Sequence, residues 1–130
     1  SALLSHGRGK TMGDGWETRR RREPGNDWII IKLATKGLIK KIEIDTAHFK
    51  GNYPDQASVQ VSNFDKNKGL EEVINESHNW KYILDKSKLQ ADNIHSYEVN
   101  DTSIKGVTHV RLNIYPDGGV SRLRIFGLKL

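Results

Sequence analysis

The sequence contains no cysteine among its 130 residues, so disulfide bonds and thiolate chemistry, whether catalytic or metal-binding, are excluded. Long apolar stretches are also missing, because a run such as Ile29–Ile31 is far too short to cross a bilayer. No charged start leads into an apolar segment with a small-residue cleavage site, and therefore no signal peptide is expected. These absences favour an intracellular protein that does not bind a membrane.

A chain of this length can bury one substantial hydrophobic core, so we expect a single domain over residues 1–130. The formal net charge is +5, and the cationic excess is concentrated in Arg19–Arg22. Such a run can bind phosphate backbones, hold an anionic small substrate, or form a solvated surface segment. No aromatic residues interleave with the arginines to stack on bases, and we expect no nucleic-acid binding.

The dominant periodicity of the sequence is two, which is typical of β-strands with one apolar and one polar face. Elsewhere bulky β-branched residues crowd a short run, as in a strand buried on both faces. The segments that show one of these patterns are Trp28–Leu33, Leu38–Asp45, Ala57–Ser62, Trp80–Leu84, Ser96–Val99, Val107–Tyr115 and Arg122–Leu128.

Turn sequences rich in proline, glycine, asparagine and aspartate separate these strands, at residues 24–27, 50–55 and 116–119. A short helical turn is predicted over Gly69–Glu76. Residues 1–13 contain three glycines and are expected to form an irregular arm. Many short strands joined by regular turns predict an all-β fold, an antiparallel β-sandwich, and within that class we favour a jelly roll.

Three polar clusters lie at predicted strand ends or turns. Asp14–Arg20 combines carboxylates, a tryptophan and guanidinium groups just before the first strong strand. Asp45–Asn52 begins where a strand passes into a polar turn, and Tyr115–Arg122 is the tight connection between the last two strands. Strand ends and loops are where rigid folds carry their binding and catalytic residues, so these clusters are the candidate functional segments.

Each cluster also has an ordinary structural interpretation. Asp117-Gly118 is a common hairpin turn pair, while Asp45 and Asn52 could hydrogen-bond only their local backbone. His48 alone is more often structural than a metal ligand. Asp45 and His48 together make a weak case for a metal, because a site needs three or four ligands. No metal or cofactor is assigned, and the residue types alone indicate a β-sandwich with a polar loop face.

The residue sequences of the three clusters resemble the signature of the allantoicase family. The stretches that carry the resemblance, in the same order, are Asp14–Arg20 followed by Pro24–Trp28, then Ile44–Pro54, then Tyr115–Gly127. They span the chain from about Gly7 to Gly127, whereas Lys66–Asn93 resembles nothing specific. Allantoicases contain two similar repeats, each a galactose-binding-like jelly roll. The resemblance therefore implies that residues 1–130 are one repeat of a longer protein, most similar to the second, C-terminal repeat.

This resemblance implies the activity of an allantoate amidinohydrolase, which hydrolyses allantoate to ureidoglycolate and urea in purine breakdown. It also implies a cytoplasmic or peroxisomal location. The expected partners are the anionic ureide substrate and the second repeat. Because a missing partner would leave long strands at a sheet edge, we also expect self-association.

The reaction breaks a carbon–nitrogen bond at a tetrahedral carbon, either through an imine or by direct displacement with water. Either route needs an anion anchor, a general acid/base pair and hydrogen bonds to the ureido groups. Guanidinium groups present paired donors to a carboxylate, which makes arginine the expected anchor. The hypothesis assigns acid/base catalysis to Glu17, Asp45 and His48, and substrate binding to Arg19, Arg20, Asn52, Asp117 and Arg122.

Two alternatives remain open on the sequence. Glu17 and the arginines could instead form an ion-pair network that fixes the arm to the sandwich. The whole domain could also be a non-catalytic module of the galactose-binding-like type, which holds sugars or other small polar ligands through loops at one end. Charged rather than aromatic residues in the loops favour an enzyme.

Overall fold

The computed structural model describes residues 2–5, 18–23, 26–47, 51, 54–64, 69–100, 103–115, 120 and 122–129. Side chains are described for the same residues apart from 2–5, 18–23, 26, 27, 34, 35 and 129. In chain order the elements are β1 (Ala2–Ser5), β2 (Thr18–Glu23), β3 (Asn26–Asp45), β4 (Gln56–Ser62), α1 (Leu70–Glu76), a 3₁₀ turn (Ser77–Asn79), β5 (Lys81–Lys88), β6 (Ile94–Glu98), β7 (Val107–Tyr115) and β8 (Arg122–Lys129).

Strand β3 belongs to both layers of the fold. Its first half pairs with β2 and β7, and its second half pairs with β6 and β8, all antiparallel. The pairing with β7 shifts register between Lys32 and Gly37, where the strand passes from one layer to the other. The first layer therefore runs β2-β3-β7-β4-β5 and the second β1-β8-β3-β6. The sequence predicts two separate strands here, and the structure joins them into one.

Both layers contribute side chains to one apolar core. Ile31 and Leu33 come from the first half of β3, and Ile42 and Ile44 from its second half. The remaining buried members are Ile39, Ala57, Val59, Val61, Leu89, Val99, Val107, Val110, Leu112, Ile114, Leu123 and Ile125. Each such side chain contributes about 1.5 to 3 kcal/mol when it leaves water. A slip of one residue would expose a whole row of them, so burial determines the strand register.

The outer face of the first layer is covered by α1 and the 3₁₀ turn. Trp28 and Ile30 of β3 pack there against Val73, Ile74 and Trp80. Because Ile31 and Leu33 face the opposite side, β3 is buried on both faces, which explains the nearly continuous apolar run of its first half. Within the described residues, neither α1 nor the 3₁₀ turn is long and apolar enough to cross a membrane.

The expectation of an irregular arm needs a correction at Ala2–Ser5. These residues form β1 and pair with β8 from Ala2↔Phe126 to Ser5↔Arg124. The backbone donors and acceptors along the outer side of β8 require partners, and four extended residues are enough to provide them. The remaining residues of the arm lie outside the described part of the chain.

The arginine run forms a strand that the periodicity does not predict. Strand β2 pairs with β3 from Thr18↔Ile31 to Glu23↔Asn26. Four consecutive cations carry no period of two, so the pattern gives no strand signal. The other predicted strands and the short helix are observed, and β7 has the predicted bounds. The all-β class, an antiparallel jelly-roll sandwich, is confirmed.

Gly127 allows a close approach between β8 and β3. A Cβ added there would collide with the carbonyl oxygen of Leu38 and would lie 3.1 Å from the Cα of Ile39. Since both neighbours are backbone atoms of a paired strand, they cannot yield without disturbing the layer. We expect Gly127→Ala to lower the free energy of unfolding by about 1 to 3 kcal/mol in urea denaturation.

The matched control for this substitution is Gly51→Ala. A Cβ at Gly51 would meet no atom within 4 Å, so the free energy of unfolding should change by less than about 1 kcal/mol. Equal losses from the two substitutions would show that the close approach at Gly127 is not what makes alanine unfavourable there.

Candidate active site

One end of the sandwich gathers the connections that cross between its layers. There β3 ends at Asp45, β4 begins at Gln56, β7 ends at Tyr115 and β8 begins at Arg122. The turn Leu89–Asn93 between β5 and β6 lies at the same end, because Lys88 pairs with Gln56 and Ile94 pairs with Asp45. We call this region the loop end. It brings together the described ends of the second and third polar clusters, which are about 70 residues apart in the sequence.

Asp45 and Arg122 are directly opposite each other on neighbouring strands of the second layer. Side chains in that relationship have Cβ atoms about 4.5 to 5.5 Å apart. Asp45 is nearly buried, with 8% of its surface exposed, and its Oδ1 accepts a hydrogen bond from the backbone N–H of Ala47 at 2.7 Å. This local turn keeps the carboxylate at the end of the strand. The structure thus brings together one predicted acid/base residue and one predicted anion-binding residue.

A shallow depression lies beside this pair, lined by Glu43, Asp45, Ile94, Arg122 and Arg124. The Glu43 carboxylate forms two ion pairs at this depression, because it lies 3.3 Å from the Lys41 Nζ and 3.6 Å from the Arg124 guanidinium. The depression therefore places the Arg122 guanidinium and the Asp45 carboxylate along one surface.

The turn Leu89–Asn93 is hydrogen-bonded to the end of β3. The Thr46 N–H donates to the Asn93 carbonyl at 2.8 Å, and the Thr46 hydroxyl donates to the Gln90 carbonyl at 2.6 Å. His95 adds two bonds, because its Nε2 accepts from the Gln90 N–H at 2.8 Å while its Nδ1 lies 3.0 Å from the Ile44 carbonyl. These partners assign the proton of the neutral ring to Nδ1. The strand end that carries Asp45 is fixed from two sides.

A buried polar network on the outer face of the first layer also leads to the loop end. The Asn113 amide donates to Gln60 at 2.9 Å and to Ser58 at 3.2 Å. The Ser58 hydroxyl is 3.0 Å from the Tyr115 hydroxyl, at the point where β7 ends. Burial raises the pKa of the neighbouring Tyr82, and the Tyr115 hydroxyl beside it raises that pKa further. The Arg111 guanidinium acts in the opposite direction and lowers the pKa of Tyr82.

The other predicted site residues are less completely described. Arg19 and Arg20 lie on β2, where they pair with Ile30 and Ile29. Since β2 reaches the loop end only at Glu23, about 10 to 14 Å of strand separates their backbones from that end. The residues Glu17, His48, Asn52 and Asp117 lie outside the described part of the chain.

Three residues of the site region are not singled out by the sequence. Glu43 and Arg124 sit at alternate positions of exposed strand faces, where charged residues are the ordinary expectation. Thr46 belongs to the second cluster, but a lone threonine carries no chemical signal. The signal that could have found Glu43 and Arg124 is their spacing of two from Asp45 and Arg122, because residues i and i+2 share one face.

No group of three or more histidine, aspartate or glutamate side chains within the described residues could hold a metal ion. Of the two ligands considered from the sequence, Asp45 is among those residues and His48 is not.

The comparisons with known proteins identify the family of the chain. The family described as Allantoicase repeat matches residues 1–130. A probable allantoicase of Burkholderia mallei is 54% identical over 127 residues, which are 98% of this chain and 37% of that protein. A solved allantoicase structure is 41% identical with a TM-score of 0.65, covering 94% of this chain and 34% of its own. The allantoicase of Saccharomyces cerevisiae is 35% identical with a TM-score of 0.64, covering 97% and 39%.

The match extends over nearly the whole chain but over a minor part of each relative. The chain spans from 37% to 39% of the length of the curated relatives that it matches. The similarity therefore concerns one repeat, which matches the family over residues 1–130. The sequence identity of 54% over 127 residues is far above the identity that a shared fold alone requires. This chain belongs to the allantoicase family and forms one allantoicase repeat.

Proposed function

We propose that this chain is one repeat of an enzyme that hydrolyses allantoate to ureidoglycolate and urea, and that its loop end binds the substrate. The observation that carries the proposal is the meeting of the described ends of the second and third polar clusters, where Asp45 lies opposite Arg122 beside a shallow depression. Membership of the allantoicase family supports the choice of substrate.

Allantoate offers a carboxylate and two ureido groups on one carbon, and the described site has a complementary group for each kind. Arg122 is suited to the carboxylate, because a guanidinium presents two parallel N–H donors to it. Asp45 is suited to the ureido groups, whose N–H bonds need an acceptor. Arg124 is already paired with Glu43, so Arg122 is the better anion contact of the two.

The proposed reaction passes through an imine. A base removes the proton from the N–H that joins the retained ureido group to the central carbon, and this electron pair forms the C=N bond. The bond from that carbon to the other ureido nitrogen breaks, and an acid protonates this nitrogen as urea leaves. Water then adds its oxygen to the carbon and a proton to the imine nitrogen, which gives ureidoglycolate. Asp45 is the described residue placed to act as the base or the acid.

The other roles are proposed on residue chemistry and family resemblance. Glu17 and His48 would complete the acid/base set. Asn52 and Asp117 belong to the loops that start and end at the loop end, and they would bind the ureido groups. Arg19 and Arg20 would reach the substrate only if their side chains bridge the distance along β2, so we rank them below Arg122 as anion contacts.

The proposal includes a second repeat and a larger assembly. The similarity of residues 7–9 and of the second cluster supports an assignment of this chain to the C-terminal repeat. Strands β1, β2, β5 and β6 lie at edges of the described layers, and such edges favour pairing with another chain or domain. Repeats or copies that meet there could complete the site.

The direct test is release of urea from allantoate. The assay compares this chain alone with a form that carries both repeats, each with and without added divalent metal, while sedimentation records the assembly of the same samples. Urea release in either form is the expected result. Activity of the single repeat would indicate a self-sufficient site, and activity of the two-repeat form alone would indicate a site completed between repeats. Binding of allantoate or a sugar without urea release in any sample would favour a non-catalytic module and overturn the proposal.

A further inference from the structure

The loop that carries two of the predicted site residues is held at both of its ends by one short turn. This loop, residues 46–55, contains His48 and Asn52. At its start the Thr46 N–H donates to the Asn93 carbonyl at 2.8 Å, and at its end the Asp55 carbonyl accepts from the Leu89 N–H at 2.9 Å. The turn Leu89–Asn93 therefore sets the separation between the two ends of the loop.

The Thr46 hydroxyl strengthens this connection, beside the bonds that the His95 ring makes to Gln90 and Ile44. It is fully buried, donates to the Gln90 carbonyl at 2.6 Å, and accepts from the Asn93 N–H at 3.2 Å. A hydroxyl can donate and accept at the same time, whereas the methyl group of valine can do neither. Serine would keep both bonds, so the position distinguishes residues by the hydroxyl and not by shape alone.

Thr46 is also placed within the local turn that orients Asp45. The Asp45 carboxylate accepts from the Ala47 N–H at 2.7 Å, and Thr46 is the residue between them. Leu89 begins the Leu89–Asn93 turn and is completely buried in the core, so the turn itself cannot move freely. Fixing Thr46 to this turn fixes the Asp45 carboxylate relative to Arg122 and to the loop that follows.

We propose that Thr46 is a positioning residue, which holds the Asp45 carboxylate and the start of the 46–55 loop in place through its hydroxyl bonds to the Leu89–Asn93 turn. The catalytic part of this inference rests on the proposed function, and the structural part does not. A displacement of about 1 Å at a catalytic group can lower a rate by about 100-fold. The hydroxyl should therefore affect turnover as well as stability.

The experiment compares Thr46→Val with Thr46→Ser and with Thr108→Val. Thr108 is the matched control because its hydroxyl also binds backbone groups, accepting from the Phe64 N–H at 3.0 Å and donating to the Ser62 carbonyl at 3.3 Å. It lies at the opposite end of the sandwich. Two quantities are measured below the unfolding transition: kcat and KM for allantoate in the active form, and hydrogen exchange of backbone amides in this chain.

We expect Thr46→Val to lower kcat/KM by about tenfold to 100-fold, while Thr46→Ser and Thr108→Val remain within about twofold of the unaltered protein. Exchange of the Asn93 amide should become about tenfold faster or more in Thr46→Val, because its acceptor is lost. The Val110 amide in the centre of β7 should be unaffected.

The two parts fail in distinguishable ways. If the unaltered protein turns over allantoate and Thr46→Val keeps the kcat and KM of Thr46→Ser, the positioning role is overturned while the proposed function stands. If the unaltered protein neither binds nor hydrolyses allantoate, the proposed function fails, and the exchange data decide alone. Faster exchange of the Asn93 amide in Thr46→Val then supports the structural role of the Thr46 hydroxyl, and unchanged exchange overturns it.

Discussion

Replacing Asp45 by asparagine is expected to lower kcat for allantoate by about 100-fold to 10,000-fold, the range that removal of a general acid or base produces. The asparagine side-chain oxygen can still accept the hydrogen bond that the Asp45 Oδ1 receives from the Ala47 N–H at 2.7 Å. The local turn and the end of β3 should therefore persist. The charge and the exchangeable proton are what the substitution removes, and the effect should fall on kcat more than on KM.

The control is the same chemical change at Asp85, which lies exposed on the edge strand β5. Asp85→Asn should leave kcat within about twofold, as expected for a surface substitution away from the site. Urea denaturation and circular dichroism of both variants establish that the fold is retained. A folded Asp45→Asn variant with nearly normal kcat would remove Asp45 from the acid/base chemistry, and the carboxylate would then have only its structural role in the turn.

Periodicity is sufficient for strands that have one buried and one exposed face. The alternation in Arg122–Leu128 predicts β8 to within one residue of its observed end, because Leu123 and Ile125 are buried whereas Arg122 and Arg124 are partly exposed. It fails for β2, where four consecutive arginines show no alternation, and the strand forms because the edge of β3 offers unsatisfied backbone groups. Pairing of this kind depends on the neighbouring strand and cannot be found from the local sequence.

The continuity of β3 is a second feature that the local sequence does not specify. Ala34–Gly37 separates two apolar patterns and suggests a break, yet the backbone stays extended from Asn26 to Asp45. The change of layer is achieved by a shift of register against β7 between Lys32 and Gly37. This shift depends on how β7 and β8 pack on either side, which is tertiary information.

The candidate site shows the same division. Asp45 and Arg122 were predicted from their chemistry and from the family resemblance, and the structure makes them cross-strand neighbours. The hydrogen bonds of the Thr46 hydroxyl to Gln90 and Asn93 could not be predicted, because they join residues that are 44 to 47 positions apart. The partners of Thr46 belong to Lys66–Asn93, the stretch of the sequence that resembles no specific family segment. Candidate reactive residues can be proposed from their type, whereas candidate positioning residues can be proposed only from their contacts.

Arg111 is the strongest example of such a contact residue on the opposite face of the first layer. Its side chain is almost completely buried, with 4% of its surface exposed. Its Nε donates to the Asn113 side-chain oxygen at 2.7 Å, and one terminal nitrogen donates to the Ser77 hydroxyl at 2.6 Å. The guanidinium carbon lies 4.6 Å from the centre of the Trp28 ring. Arg111 thus connects β7, the outer face of β3 and the 3₁₀ turn.

We expect Arg111→Met to lower the free energy of unfolding by about 3 kcal/mol or more, because each hydrogen bond from a charged donor contributes about 1.5 to 3 kcal/mol and a buried cation–π contact adds to that. Arg111→Lys should lose less, since it keeps the charge but lacks the planar fork that reaches two acceptors. Arg124→Met is the matched control: that side chain is 34% exposed and pairs with Glu43 at 3.6 Å, so its loss should stay below about 1 kcal/mol. Urea denaturation of the three variants measures these differences.

If Arg111→Met and Arg124→Met unfold at the same urea concentration, the buried network does not stabilise the fold. If the order is as expected, α1 and the 3₁₀ turn are held to the sandwich by a polar contact as well as by Trp28 and Trp80, and the same network, through Asn113 and Ser58, supports Tyr115 at the start of the loop that carries Asp117.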